Sequence, residues 1–214
     1  SHMVLDIDLG MMGVILPSIN NEFIVSAQKI SGLASFYALV FASMMLVGGK
    51  CADLFGQRAI VRFGLAIFAM GTLLAGLSPK FEILLIARAL QGLGAAFLAP
   101  ANFSLINTAI PAGSNRHLAY GVFGTLQGLS ILIGPVFSGM LTSNFGWRAA
   151  YIGNFVLIIL VILASFIVPI VRHKVEKQKF DFLGAVLFVP SILAIVLAIT
   201  SGSGLITGDL TRLI

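Results

Sequence analysis

Long apolar segments separated by short polar or Gly/Pro breaks dominate the sequence. A membrane-spanning helix needs about 20 predominantly apolar residues, and seven segments are close to that length. These segments predict spans at 4–20, 31–49, 59–78, 83–106, 118–142, 149–170 and 182–200. The pattern therefore predicts an all-α polytopic membrane protein. The first span is the shortest, because it begins almost at the first residue. It carries two acids, Asp6 and Asp8.

The composition supports the membrane interpretation. Hydrophobic residues make up 58% of the 214 residues and charged residues 10%, whereas a soluble domain has about half and about a quarter respectively. Seven spans take about 140 residues at about 20 residues each. No separate soluble catalytic domain fits in the remainder, so the functional residues are expected among the helices.

The charged and reactive residues exclude several function classes. The net charge is +5, but no basic stripe or aromatic platform lies outside the apolar segments, so nucleic acid is not an expected partner. Cys51 is the one cysteine, and the three histidines are far apart in sequence, so neither a disulfide nor a metal site is predicted. No nucleophile-base pair or phosphate loop is present, and an enzyme is not expected.

Lysine and arginine predict the orientation. Eight of the 13 basic residues fall in the turns after the second, fourth and sixth spans, four fall on the opposite side, and Arg88 lies inside a span. Cytoplasmic loops carry the excess of Lys and Arg, so the sequence predicts a multi-pass cell-membrane protein with a cytoplasmic amino terminus. Ser1-His2-Met3 resembles the scar of a cleaved expression tag.

Polar residues inside the fourth span form one face. A charge at the centre of a span costs at least about 2.5–3.5 kcal/mol, so Arg88 requires an explanation. Gln91, Ala95 and Asn102 lie within about 60° of Arg88 at 100° per residue. This face is predicted to line a cavity. The alternative is that Arg88 is structural, paired with a carboxylate or with carbonyl groups.

The first and fifth spans carry further candidates. Asp8 is predicted to carry a proton, unless it lies near the helix end and reaches water. Asp6 is expected to be the more solvated acid.

On the fifth span, the residues within about 60° of Gln127 are small, namely Gly124, Ser130, Gly134 and Ser138. Such a face permits close helix packing. Packing alone explains these small residues as well as a functional role does. The pair Gly134-Pro135 predicts a bend that acts as a hinge or seal.

Two short polar segments complete the pattern. In the turn between the second and third spans, Gly49 and Gly56 permit a tight reversal. Asp53 and Arg58 in the same turn could pair with each other or dock at a helix end. Trp147 and Arg148, at the start of the sixth span, are expected to be an interfacial anchor.

Four of these stretches resemble motifs of the major facilitator superfamily, in the order found in that family. Residues 49–58 resemble its cytoplasmic turn between spans two and three, although Leu54 and Gln57 replace the usual basic residues. Residues 85–96 resemble the fourth-span motif, whose arginine is implicated in proton coupling or substrate binding.

The other two stretches point to one branch of that family. Residues 121–139 are similar to the fifth-span antiporter motif, with Ser130 and Ser138 where glycine is usual. Residues 8–17 resemble the first-span motif of drug:proton antiporters, in which an acid lies nine residues before a proline. Residues 179–187 resemble the start of the extra inter-domain helix of the fourteen-span branch.

The resemblance implies half of a transporter, with a second six-helix bundle expected elsewhere and the site between the two at midplane. The implied organisation is a tag scar at 1–3, an amino-terminal six-helix bundle at 4–170, a basic cytoplasmic linker at 171–181, a seventh transmembrane helix at 182–200 and a tail at 201–214.

The resemblance also implies a function: proton-coupled efflux of small lipophilic or cationic compounds by alternating access. The coupling ion is the proton, and no other cofactor is expected. Substrate or proton binding is expected at Asp8, Arg88, Gln91, Asn102 and Gln127. Gating is expected at Gly49, Asp53, Gly56, Arg58, Gly134 and Pro135.

The expected partners are the lipid bilayer and the carboxyl-terminal half of the transporter. Two alternatives remain open: a half-size carrier that works as a homodimer, and a seven-helix receptor or assembly module that does not transport.

Overall fold

The computed structural model describes residues 1–110, 113–167 and 190–191. Those residues form six long helices: α1 (His2–Phe23), α2 (Ala27–Phe55), α3 (Gln57–Gly76), α4 (Phe81–Ala109), α5 (Ser114–Phe145) and α6 (Trp147–Ile167). Each is long and apolar enough to cross a membrane, and the described residues contain no strand. The all-α fold class is confirmed for this part, whereas the predicted linker, tail and all but two residues of the seventh span lie outside it.

Most of the helices are longer than the predicted spans. Helix α2 continues through the predicted turn to Phe55, and only Gly56 separates it from α3. The φ of Gly56 is +90°, in the left-handed region that glycine enters without a steric penalty. The predicted multi-residue turn is therefore wrong: the reversal is made at one glycine, and Gly49 is part of α2.

The pairing of the helices indicates two three-helix repeats. Helix α1 packs on α5 and α6, whereas α4 packs on α2 and α3. If α4–α6 repeat α1–α3, the pair α1–α5 corresponds to α4–α2 and the pair α1–α6 corresponds to α4–α3. This is the arrangement that inverted repeats produce.

Small residues allow the central helices to cross closely. On α5, a Cβ added to Gly134 would lie 2.7 Å from the carbonyl oxygen of Ile7 and 3.1 Å from the Cα of Gly10. On α2, a Cβ added to Gly48 would collide with the carbonyl oxygen of Ala96 on α4. The two crossings belong to the corresponding pairs α1–α5 and α4–α2.

The interior consists of two apolar clusters with polar residues between them. On α3, Ala69 belongs to one cluster and Ala75 to the other. On α4, the corresponding residues are Ala95 and Ala87. Buried polar residues lie between the two clusters on three helices: Asp8 on α1, Thr72 on α3, and Arg88 and Gln91 on α4.

Candidate functional site

An ion pair between α1 and α4 lies at the centre of the polar layer. Arg88 Nη1 donates to Asp8 Oδ2 over 2.6 Å, and the two side chains are 1% and 0% exposed. A buried charge requires a partner, because removing it from water costs several kcal/mol. The structure thus places Arg88 in the paired arrangement that was the alternative to a cavity lining.

Gln91 binds both members of this pair. Its Oε1 accepts from Arg88 Nη1 over 2.8 Å, and its Nε2 donates to Asp8 Oδ1 over 2.8 Å. Helix α2 contributes the carbonyl oxygen of Leu33, which accepts from Arg88 Nε over 3.3 Å. The ring of Tyr37, also on α2, lies 4.6 Å from the guanidinium carbon. Three helices therefore surround the arginine.

Thr72 extends the network to α3, and sequence reasoning missed it. Its hydroxyl donates to the carbonyl oxygen of Phe68 over 2.8 Å and accepts from Gln91 Nε2 over 2.9 Å. A hydroxyl has one proton to donate, so Thr72 can only accept from Gln91. This keeps the Gln91 nitrogen towards Asp8 and its oxygen towards Arg88. A lone threonine in an apolar span carries no pattern that would have marked it.

Asn102 and Gln127 lie outside this network. Asn102 is 14 residues after Arg88, or about 21 Å along a helix at 1.5 Å per residue. Its Oδ1 accepts from the Ser1 hydroxyl over 2.6 Å, and Gln127 Nε2 lies 3.1 Å from His2 Nδ1. The five predicted binding residues therefore fall into two groups.

Asp6 lies with the second group. It is 5% exposed whereas Asp8 is 0% exposed, so Asp6 is the more exposed of the two acids, although both are buried. The two acids lie about 200° apart around α1 at 100° per residue. They therefore face different parts of the bundle, and each is buried there.

The predicted gating residues near Gly56 differ in their burial. Asp53 is exposed near the end of α2. Arg58 is half-buried and lines a cavity of about 240 Å³ that is bounded by α3, α4 and α6. Gly49 lies in ordinary contact with Pro100, at 3.5 Å from an added Cβ.

The predicted small face of α5 divides into two parts. Ser130, Gly134 and Ser138 are buried, and Gly134 packs against α1, whereas Gly124 has nothing within 4 Å of an added Cβ. Pro135 lies within the continuous helix α5, and its Cδ is 3.1 Å from an added Cβ on Gly10. At Gly134 and Pro135 the face serves helix packing.

Trp147 and Arg148 connect α6 to α1. Trp147 is 3% exposed, and its Nε1 donates to Glu22 over 2.8 Å. Arg148 donates to both carboxylate oxygens of Glu22, each over 2.7 Å, and to the carbonyl oxygen of Ser78 over 2.8 Å. Trp147 is therefore buried, and the two residues join the start of α6 to the ends of α1 and α3.

Comparison with known proteins identifies the family. Residues 1–211 match the sequence profile of the Major Facilitator Superfamily. The chain belongs to this superfamily. The motifs recognised in the sequence thus lie within a match that covers nearly its whole length.

Several known proteins are similar to the chain in sequence. The Puromycin resistance protein of Streptomyces alboniger is 32% identical over 198 residues, which are 92% of this chain and 39% of that protein. The Multidrug resistance protein Stp of Mycobacterium tuberculosis is 28% identical over 196 residues, covering 92% of this chain and 36% of that protein. The chain spans about two fifths of the length of these relatives.

One solved structure has the same fold as this chain. A crystal structure of the peptide transporter POT, a mutant in complex with sulfate, superposes with a TM-score of 0.74 at 15% identity. The match covers 92% of this chain and 43% of the transporter. At this identity the likeness establishes the arrangement of the helices.

Proposed function

We propose that this chain is the amino-terminal half of a proton-coupled exporter of small lipophilic or cationic compounds that works by alternating access. The observation that carries the proposal is the buried ion pair of Asp8 and Arg88, bridged by Gln91. The named activities of the similar proteins, puromycin resistance and multidrug resistance, support the substrate class.

The geometry of the pair supports proton coupling. While Asp8 is ionised, its charge balances that of Arg88 at 2.6 Å. When Asp8 takes up a proton, Arg88 keeps its charge among neutral partners, which include the oxygens of Gln91 and Leu33 and the ring of Tyr37. An uncompensated charge in a membrane interior is unfavourable, so protonation favours a rearrangement that gives Arg88 a new partner.

Coupling requires that the two transport states bind the proton with different affinity, because a ligand that binds both equally shifts nothing. The two charges come from different helices, α1 and α4. A small displacement of α1 relative to α4 changes their separation, and with it the free energy of the ionised form of Asp8. Alternation between inward-facing and outward-facing states would supply that displacement.

The gating residues have a role in the same proposal. Asp53 is exposed near the end of α2, where it is available to a helix end of the carboxyl-terminal half. It would latch the cytoplasmic side when the transporter faces outwards, with Gly56 making the reversal that presents it. Gly134 and Pro135 would seal the bundle against leak by holding α5 against α1.

The experiment that tests the proposal uses a full-length version in inverted vesicles. Uptake of a fluorescent cationic dye is measured with and without an imposed pH gradient. Asp8→Asn is expected to flatten the pH dependence, and Arg88→Ala to abolish gradient-driven transport while the protein remains in the membrane. Glu82→Gln, an exposed acid in the first turn of α4, serves as the matched control and should behave as the parent. Unchanged gradient-driven uptake in Asp8→Asn would rule out the assigned proton site.

A further inference from the structure

A buried asparagine on α6 has an amide without a partner in the described part of the chain. Asn154 is 0% exposed, and neither its Nδ2 nor its Oδ1 has a hydrogen-bond partner among the described residues. Buried polar side chains of native proteins are nearly always paired, with protein or with ordered water. The amide of Asn154 therefore requires a small polar partner inside the bundle.

Helix α1 brings Asp8 to the depth of Asn154. The beginning of α6 binds the end of α1, so the two helices are antiparallel. Further along α6, the Tyr151 hydroxyl donates to Met12 Sδ over 3.5 Å. Asn154 lies three residues beyond this contact on α6, which is about 4.5 Å at 1.5 Å per residue. Asp8 lies four residues before it on α1, about 6 Å in the same direction.

Helix α3 brings Thr72 to the same depth. An added Cβ on Gly76 would lie 3.4 Å from Tyr151 Cβ. Arg62, nearer the beginning of α3, donates to a carbonyl oxygen near the end of α6, so these two helices are also antiparallel. Thr72 is four residues before Gly76 and thus lies one turn from Tyr151, in the direction of Asn154. The polar layer therefore continues from α1, α3 and α4 onto α6.

The side chains at this depth also share the faces that meet at Tyr151. At 100° per residue, Asn154 is about 60° from Tyr151 around α6. Asp8 is about 40° from Met12 around α1. Asn154 and Asp8 therefore face the same part of the bundle interior, where each is fully buried.

The Asp8 carboxylate has capacity for a further hydrogen bond. One oxygen accepts from Arg88 and the other from Gln91, whereas an ionised carboxylate can accept about four hydrogen bonds. A buried water molecule makes about three hydrogen bonds to buried polar groups. The amide of Asn154 offers a donor and an acceptor, and Asp8 offers a second acceptor, so the two residues together supply three.

We propose that Asn154 holds an internal water molecule in the polar layer, and that this water donates a hydrogen bond to Asp8. The water accepts from Asn154 Nδ2 and donates its two protons to Asn154 Oδ1 and to the carboxylate. It stabilises the ionised form of Asp8 and thereby helps to set the pH at which the proton is taken up. Asn154 is a positioning residue, because it acts on Asp8 through the water. The role in coupling rests on the proposed function, whereas the water site does not require transport.

Asn154 is neutral at every pH, so the other groups that face Asp8 supply the remaining electrostatic effects. Arg88 on α4 binds it directly, and Tyr37 on α2 and Tyr151 on α6 interact with its charge. On α1 itself, Asp6 lies about 200° away. The titratable residues of α3 and α5 all belong to the first seven residues of those helices and are Arg58, Arg62, Arg116, His117 and Tyr120.

The first test detects the water in the unmodified 214-residue chain, purified in detergent. Transfer of magnetisation from water to side-chain amide protons is recorded by NMR on isotope-labelled protein. Because Asn154 is 0% exposed, bulk water does not reach it, and transfer is expected only from a bound molecule. The exposed Asn144 on α5 is the positive control. Transfer to Asn144 without transfer to Asn154 would overturn the proposal, and this comparison needs no variant to fold.

A hydroxyl close to the amide could relay protons from elsewhere, and Tyr151→Phe tests this route. The transfer to Asn154 is expected to persist in the phenylalanine variant. Its loss there would show that the signal came through the hydroxyl, and would also contradict the proposal.

The second test measures the pH profile of dye uptake by the full-length version. Asn154→Leu has a similar volume but cannot hold the water, so the ionised carboxylate loses a donor. The profile is expected to move towards higher pH by about one unit. Asn154→Ser keeps a hydroxyl and leaves room for water, and should retain the parental profile. Asn144→Leu makes the same chemical change at the exposed asparagine and should do likewise.

A parental profile in Asn154→Leu, or an equal displacement in Asn154→Ser, would show that the polar group of Asn154 does not act on Asp8. A thermal melt of each variant confirms that it is folded.

The two proposals fail separately. The NMR measurement involves neither transport nor a pH gradient, so absence of the water leaves gradient-driven uptake by the full-length version unaffected. Conversely, a full-length version whose uptake ignores the gradient contradicts proton coupling, but not the water held by Asn154.

Discussion

The orientation of a single amide decides how the charge pair is held. Gln91 must present its oxygen to Arg88 and its nitrogen to Asp8, and a reversed amide would place donor against donor and acceptor against acceptor. Thr72 prevents that reversal because its hydroxyl proton is already donated to Phe68. A residue that touches neither charge therefore controls the environment of both.

Substitution of Thr72 tests this role. Thr72→Val has nearly the same shape but removes the hydroxyl, so Gln91 loses one acceptor and its amide is free to turn. We expect a loss of about 1 kcal/mol of stability and a displaced pH profile of transport in the full-length version. Thermal unfolding in detergent and dye uptake across a pH series measure the two effects.

Thr72→Ser is the matched control, because it retains the hydroxyl in a smaller side chain. Transport by the serine variant should have the same pH profile as transport by the parent protein. If the valine and serine variants share one profile, the hydroxyl does not position Gln91 and Thr72 serves only to fill the space beside it.

Among the helices, the contact of α1 with α5 depends on two glycines. Gly10 and Gly134 face each other so closely that an added Cβ on either would lie 2.7 Å from a carbonyl oxygen of the other helix. These contacts involve backbone, which cannot move aside as the end of a flexible side chain can. Asp8 lies two residues before Gly10 on α1. The close crossing of α1 and α5 therefore also fixes where Asp8 meets α4.

Gly134→Ala and Gly128→Ala give a matched pair on the same helix. The first is expected to destabilise the protein by about 1–3 kcal/mol, as overpacking does. The second has open space around it and should be neutral or stabilising by up to about 1 kcal/mol, since alanine favours helix. Melting temperatures in one detergent compare them, and equal values would contradict the close α1–α5 contact.

At the scale of the whole molecule, the six helices are buried to very different extents. The most apolar stretches of α2 and α5 are each 17% buried, against 61% for α3 and 56% for α4. Helices α2 and α5 correspond to each other in the two repeats, so the least buried faces are related by the same pseudo-symmetry. Such faces are available to lipid or to a second bundle.

A comparison of chain lengths tests the half-transporter proposal. We expect gradient-driven dye efflux from a version that carries a carboxyl-terminal bundle and none from the 214-residue chain. Transport by the short chain alone would instead mean that copies assemble into a carrier. Its size in detergent would then correspond to two chains rather than one.

Hydropathy and local motifs were sufficient to predict much of the protein. Six spans were placed close to the observed helices because lipid requires an apolar residue at nearly every position of a span, a property that can be read along the chain. The motif around Arg88 could also be recognised from neighbouring residues alone. The shared face of Arg88 and Gln91 could be predicted too, because the helical period fixes the angle between two residues three positions apart.

Only the tertiary structure decided which residues meet. The distance of Asn102 from Arg88 follows from their spacing along α4. The angular pattern of α4, in contrast, could not assign Asp8 to Arg88, because it does not specify which helix faces which side of α4. The same reason explains why Thr72 was missed and why Asp6 and Trp147 are buried. Their environments come from helices distant in sequence, whose rotation is set by close glycine contacts such as Gly10 with Gly134.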